Sequence, residues 1–289
     1  MAGFKLKDLD VFYISYDEPN CEVNWERVIS IHPDAKRIHG VLGFDRAHRI
    51  CATASDTYRF VTIDGDNWLH DDLLDYEIID DDYADVCFSF KSQNIVNGLQ
   101  YGNGGVKVWN KETYLSTTSH ELDQLTDFCW SIRYFHVDFL GSLTVNNCTS
   151  YQAWRAGYRE GVKLSYVNGK PLTNFKDDLN QIWEGNLRLL RMWTTVGRDV
   201  NNGIWAILGA RQGLYDLVTN NCVHTDINDY DLMYSKWLQS EVDDPDITAT
   251  FIGQQLGRKF NFKTPELDFD ASTWIKTIYV NPIRSGLMK

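Results

Sequence analysis

The chain has 289 residues, 43% of them hydrophobic and 24% charged, with a formal net charge of −12. That composition fits a globular protein with a full apolar core, and the acidity argues against the broad basic footprint that general nucleic-acid binding needs. No apolar run approaches the roughly 18 residues of a membrane span, so no membrane partner is expected. The six cysteines are scattered with no CxxC pair, and Met1-Ala2-Gly3-Phe4-Lys5-Leu6-Lys7 has no signal-peptide core; reduced thiols and a cytoplasmic location are expected.

In chain order, Val11-Phe12-Tyr13-Ile14-Ser15 reads as a first strand, followed by an acidic turn at Asp17-Glu18-Pro19-Asn20. Residues 24–30 read as a helix that Pro33 stops, 37–41 as a second strand, and 45–55 as a helix with Asp45 as its N-cap. The β-branched and aromatic run Arg59-Phe60-Val61-Thr62-Ile63 is a buried strand, with Asn67 and Trp68 extending it. Strand–helix–strand–helix–strand in so short a span is the grammar of an α/β sheet. Further strands are expected at 84–90, 106–109, 128–139 and 274–280, and helices at 150–165 and 179–196. The stretch after residue 215 reads as helical with loops. The expected fold class is α/β, a Rossmann-like mixed sheet flanked by helices over 1–145, with a mostly helical part over 146–289.

Asp64-Gly65-Asp66 closes the third strand. Two carboxylates one residue apart at a sheet's C-terminal edge suit a hard cation, Mn²⁺ or Mg²⁺, which takes one or two carboxylates and fills its remaining positions with substrate phosphate and water. Asp66 lies furthest past the strand and is the expected ligand; Asp64 reaches the ribose or a metal-bound water. Asp-Gly is also an ordinary turn dipeptide. Asp80-Asp81-Asp82 reads as a solvated loop. The glycine turn Gly102-Asn103-Gly104-Gly105 can bring backbone close to a ligand, but lacks the GxGxxG spacing and the Walker lysine. No GxSxG, HExxH or CxxC pattern points to hydrolase or zinc chemistry.

Three segments together resemble the GT-A glycosyltransferases. Ile14-Ser15-Tyr16-Asp17-Glu18 resembles the turn after the first strand that cups the nucleotide. Arg46-Ala47-His48, Ser55-Asp56 and Phe60 through Asp66 resemble the family's helix–strand–DxD unit. The glycine turn and Trp154-Arg155-Ala156-Gly157-Tyr158-Arg159-Glu160 are similar to glycosyltransferases encoded by bacteriophages. The resemblance covers roughly the first 110 residues and the 150–165 helix.

The resemblance implies a nucleotide-sugar donor, most simply a UDP-sugar, with its diphosphate on a DxD-bound cation. It also implies an acceptor hydroxyl that includes the hydroxymethylated pyrimidine of phage DNA. In that setting Tyr16 stacks on the base, or else is a core residue, and Asp17 and Glu18 contact uracil or ribose, or else are turn residues before Pro19. One of Arg46, His48 and Arg49 on the preceding helix, Arg46 first, meets the diphosphate or base edge, or else the three form a solvated basic face. Relatives often add a third metal ligand from the C-terminal region, here His224. Arg155, Arg159 and Lys163 recur at i, i+4 and i+8, a basic stripe for a diphosphate or for acceptor phosphates, or a paired surface stripe. The family's acidic base pair is absent, and Glu160 is the nearest candidate general base, or else a member of an intrahelical ion pair. Two other classes fit the same residues: a metal-dependent nucleotidyltransferase, and a non-catalytic interaction protein on the same fold.

Overall fold

A computed structural model describes residues 3–79, 83, 85–101, 105–117, 132–167, 170–172, 181–278 and 286–288. The chain divides into two compact units. One comprises residues 1–94, 100–145 and 281–289, the other residues 95–99 and 146–280.

The first unit is a mixed α/β sheet flanked by helices. Its elements are β1 (Gly3–Lys5), β2 (Asp10–Ser15), α1 (Cys21–Ile31), β3 (Lys36–His39), α2 (Phe44–Ala54), β4 (Arg59–Asp64), β5 (Asn67–Leu69), β6 (Glu77–Ile79), β7 (Cys87–Asn94), β8 (Gln100–Tyr101), β9 (Val106–Asn110), α3 (Lys111–Ser116), β10 (Tyr134–Thr144) and, from the far end of the chain, β13 (Gly286–Met288). The sheet runs β13-β10-β7-β9-β4-β2-β3, with β5 added to β10 and β8 to β7; β1 and β6 form a separate pair. β2 is parallel to both β3 and β4, whereas β9 lies antiparallel between β4 and β7.

Strand alternation sorts the side chains between two cores. Val11, Tyr13, Val61, Ile63, Val106 and Val108 point to one face, with Val28 of α1 packed there. Phe12, Phe60 and Trp109 point to the other, against Cys51 and Ala52 of α2 and Tyr114 of α3. Phe60, Thr62 and Asp64 therefore share the α2 face, and so does Lys107 between the two valines of β9.

The second unit contains α4 (Ser150–Lys163), a two-stranded hairpin of β11 (Tyr166–Val167) and β12 (Lys170–Pro171), α5 (Glu184–Trp193), α6 (Gly203–Val218), α7 (Tyr230–Gln239), α8 (Pro245–Phe260) and α9 (Phe269–Ile278). Its core joins Trp154, Tyr158 and Val162 of α4 to Ile207, Leu208 and Leu217 of α6. Glycines let these two helices touch backbone to backbone. A Cβ on Gly157 would lie 2.0 Å from the Ala206 carbonyl oxygen, and one on Gly209 would lie 2.0 Å from that of Trp154. Arg211 is fully buried and donates to the Thr194 and Ala249 carbonyls at 2.8 and 2.9 Å and to Glu266 at 2.6 Å.

Several expectations are corrected. Of the strand expected over 274–280, residues 279–280 lie outside the described residues and 274–278 belong to the helix α9. Asp268 accepts from Ala271 N at 2.8 Å at its start, and Lys276 is anchored on Asp199 at 2.7 Å, which outweighs the β propensity of Trp274 and Ile278. Asn67 and Trp68 do not extend β4; after the turn they form β5, which pairs with β10. Asp45 is not an N-cap. Gly43, at φ 97°, holds that position, while the Asp45 carboxylate accepts from Arg49 Nε at 2.8 Å and the Tyr114 hydroxyl at 3.3 Å. The strand expected over 84–90 runs later, as Cys87–Asn94, and the helix expected from 179 begins at Glu184. Residues 80–82, 102–104 and 118–131, which include the aspartate run, most of the glycine turn and Cys129, lie outside the described residues.

Candidate functional site

Because β2 and β4 are parallel neighbours, with Ile14 beside Asp64, both chains leave the sheet at the same edge. This brings Tyr16-Asp17-Glu18 alongside Gly65-Asp66. The Glu18 carboxylate lies close over Gly65, where a Cβ would be 2.7 Å from Glu18 Oε2 and would push that side chain aside. Glu18 is held by Tyr16 N, which donates to Oε2 at 2.7 Å. The Gly65 carbonyl is fixed by the buried Tyr13 hydroxyl at 2.7 Å and by Asn24 Nδ2 at 2.9 Å. Asp64 N donates to the Gly105 carbonyl at 2.7 Å, and Val145 N to that of Asp66 at 2.8 Å. The turn is thus tied down on both sides of Gly65.

The Asp66 carboxylate is steered from beneath. Buried Asn67 donates from Nδ2 to Asp66 Oδ1 at 2.7 Å, while its own Oδ1 accepts from the hydroxyls of Ser92 at 3.0 Å and Ser142 at 2.8 Å. The Asp66 carboxylate oxygen, an acceptor, selects the amide's Nδ2 end, and the two hydroxyls then donate to its oxygen. Gly105 packs against the same amide, where a Cβ would lie 2.0 Å from Asn67 Nδ2. On the other carboxylate, the ammonium of Lys107 stands 3.9 Å from Asp64 Oδ2, with only 4% of the Lys107 side chain exposed. Neither Asn67 nor Lys107 was singled out from the sequence. The signal for Lys107 was its alternation, a charged residue between Val106 and Val108 in a buried strand.

The electrostatics are those of crowded acids. Burial, followed by the charges of Asp64 and Glu18, pushes the Asp66 carboxyl up to about 7. Burial likewise raises Glu18, against the lowering effect of the Tyr16 amide. Crowded oxygen anions that resist ionisation together are a donor set a hard divalent cation would satisfy. Among the described residues, no three His, Cys, Asp or Glu side chains converge into a ready-made cage. A cation here would rest on one or two carboxylates and take its other ligands from outside the protein.

Arg46 is exposed on α2, lining a shallow hollow with Asp45, Arg49, Ile50, Thr53 and Ala54. Arg49 is used structurally, held by Asp45 and by the carbonyls of Leu115 and Thr117. His48 is buried against the rings of Phe44, Trp109 and Tyr114, and burial lowers it to about 3, so it is a neutral core residue.

Four expected site residues belong to the helical unit. Arg155 stacks on the Tyr230 ring at 3.9 Å. Arg159 and Glu160 are half-buried one step along α4. His224 is buried edge-on to Tyr166, its ring centroid 4.9 Å away; its Nε2 has no hydrogen-bond partner, and burial lowers it to about 4. Among the described residues, no helix is long and apolar enough to cross a membrane. Comparisons with protein-family models, curated proteins and solved structures yield no match to this chain.

Proposed function

We propose that this chain is a metal-dependent glycosyltransferase of the GT-A type, moving a sugar from a nucleotide-sugar, with UDP-sugars first in order, to an acceptor hydroxyl. The observation that carries the reading is the meeting of Asp64, Asp66 and Glu18 where two parallel strands leave the sheet, the edge at which open α/β sheets bind ligands. A divalent cation bound by Asp66 and Asp64 supplies charge neutralisation for a departing nucleoside diphosphate. The chain's own part is positional. Asn67 aims Asp66, Lys107 balances the charge of Asp64, and the hydrogen bonds to the Gly65 carbonyl hold the turn in place. Tyr16, more than a third exposed beside Glu18, offers a ring for a base. Hydroxymethylated DNA is the first acceptor to try.

The test is release of nucleoside diphosphate from a panel of nucleotide-sugars with Mn²⁺. Turnover of one donor supports the reading. Pyrophosphate release from a nucleoside triphosphate instead would identify a nucleotidyltransferase, and no Mn²⁺-dependent turnover of any donor would leave the interaction-protein reading. Asn67→Ala, which removes the group that orients Asp66, is expected to weaken Mn²⁺ binding about tenfold or more, as outer-shell partners of metal ligands do. Titration calorimetry measures this, and an unchanged affinity would show that Asp66 needs no such support.

A further inference from the structure

One helix of the second unit carries a face that the unit itself does not use. Along α8, Ala249, Gly253 and Leu256 point inward and are buried. On the opposite side Ile247, Phe251, Gln254 and Arg258 recur at i, i+4, i+7 and i+11, so they form one outward stripe. Ile247 is 69% exposed and Phe251 58%. With Asp246, Thr250 and Gln254 they form an open, shallow outer surface of the helix.

The charges on this stripe have a sense of direction. Asp243 lies just ahead of the helix start and Arg258 in its last turn, and both are exposed. Neighbouring charges are already engaged: Asp246 with Arg198, and Lys259 with the Tyr215 hydroxyl at 2.9 Å. Among the described residues, the side chains of Asp243 and Arg258 carry no hydrogen bond or ion pair. Thr250 and Phe251 lie midway between them, and Ile247 and Gln254 are equally spaced about the same midpoint.

With an exposed acid just ahead of the helix, an apolar middle and an exposed base in the last turn, the α8 surface is complementary to itself when reversed. We propose that α8 is a self-association surface, on which a second copy of this chain seats its own α8 antiparallel about a two-fold axis between Thr250 and Phe251. Each Asp243 then faces the Arg258 of the other copy, each Ile247 faces a Gln254, and each Phe251 packs beside the axis against the other copy's Thr250. The helix dipoles also oppose favourably in this arrangement. A two-fold contact of this kind is closed, so it makes a dimer and not a filament. One helix pair is a small interface, so the dimer is a weak one that forms in the micromolar range.

Sedimentation velocity on the full chain tests this without reference to the proposed activity. At low salt, and up to about 100 µM, wild type is expected to show a reversible dimer of the kind small interfaces give. Arg258→Glu alone and Asp243→Arg alone each place like charges opposite one another twice, and each is expected to weaken association about tenfold or more. An equimolar mixture of the two single variants restores opposite charges at both contacts, as does the double variant, so both are expected to dimerise again. Both residues are exposed, and circular dichroism is expected to match wild type. A wild-type chain that stays monomeric throughout the range would overturn the proposal and leave the stripe to some other partner. So would a dimer indifferent to both reversals, or a mixture that fails to recover.

Discussion

Gly209→Leu is expected to abolish native packing in the helical unit, and Gly209→Ala to cost about 3 kcal/mol or more, the upper range of overpacking penalties. The reason is what the new atom meets. A Cβ at 209 lies 2.0 Å from the Trp154 carbonyl oxygen, and one at Gly213 lies 2.3 Å from that of Tyr158. Backbone cannot rotate away as a side chain can. The α4 and α6 axes must move apart, which loosens Trp154, Tyr158, Ile207 and Leu208 together. A loss of that size is a large share of the roughly 5–15 kcal/mol that holds a domain folded. Gly257→Ala on α8 is the matched control. Its Cβ would meet only the Phe262 carbonyl, at 3.8 Å. That change is expected to be neutral or to stabilise by about 0.5–1 kcal/mol, the usual gain of alanine over glycine inside a helix. Urea unfolding of the three variants decides the matter. Equal effects at 209 and 257 would contradict the close-contact account.

Asp66→Asn is expected to lower metal-dependent donor turnover by about 10²–10³-fold, the scale on which charge stabilisation at a reacting group is lost. The variant keeps the shape of the side chain and its contact with Asn67, so the fold is retained. The same substitution has an independent signature in stability. Folded Asp66 holds its proton up to about 7, whereas the unfolded chain releases it near the ordinary carboxylate value of about 4. Between those values the folded state binds more protons. Stability of cation-free wild type relative to Asp66→Asn should therefore fall as pH rises from about 4 to about 7 and then level off. Mn²⁺ at neutral pH should recover part of the loss by binding only the folded state. Urea midpoints for both chains across this range measure it, and parallel curves would show that Asp66 is not strained by its neighbours.

The part of this molecule most legible in its sequence is the β2–α1–β3–α2–β4 run. There, short apolar strands are punctuated by Pro33 and by polar turns, and the local pattern dictates the local structure. Asp64 and Asp66 were visible for the same reason, since a β-branched run that ends in carboxylates has to stop at a sheet edge. What surrounds them was not visible. Lys107 reaches Asp64 only because β9 pairs antiparallel with β4, which sets Lys107 opposite Thr62. Asn67 meets Ser92 and Ser142 across strands that are far apart in the chain. Long-range register of this kind leaves no trace in a single segment. The end of the chain misled for a different reason. Trp274, Ile275 and Ile278 favour strand by residue type, but the Asp268 cap and the Lys276–Asp199 ion pair belong to a helix. The four-residue glycine spacings, 157 to 161 and 209 to 213, carry meaning only once both segments are helices that face each other.

The most direct test of the central claim is Mn²⁺ binding to the full chain, followed by electron paramagnetic resonance, with and without UDP, for wild type and Asp66→Asn. Wild type is expected to bind the ion, UDP to tighten binding because diphosphate oxygens complete the ligand set, and Asp66→Asn to lose both effects. Wild-type protein that leaves Mn²⁺ in solution even with UDP present, or a variant that binds it equally well, would contradict a cation site at Asp64 and Asp66.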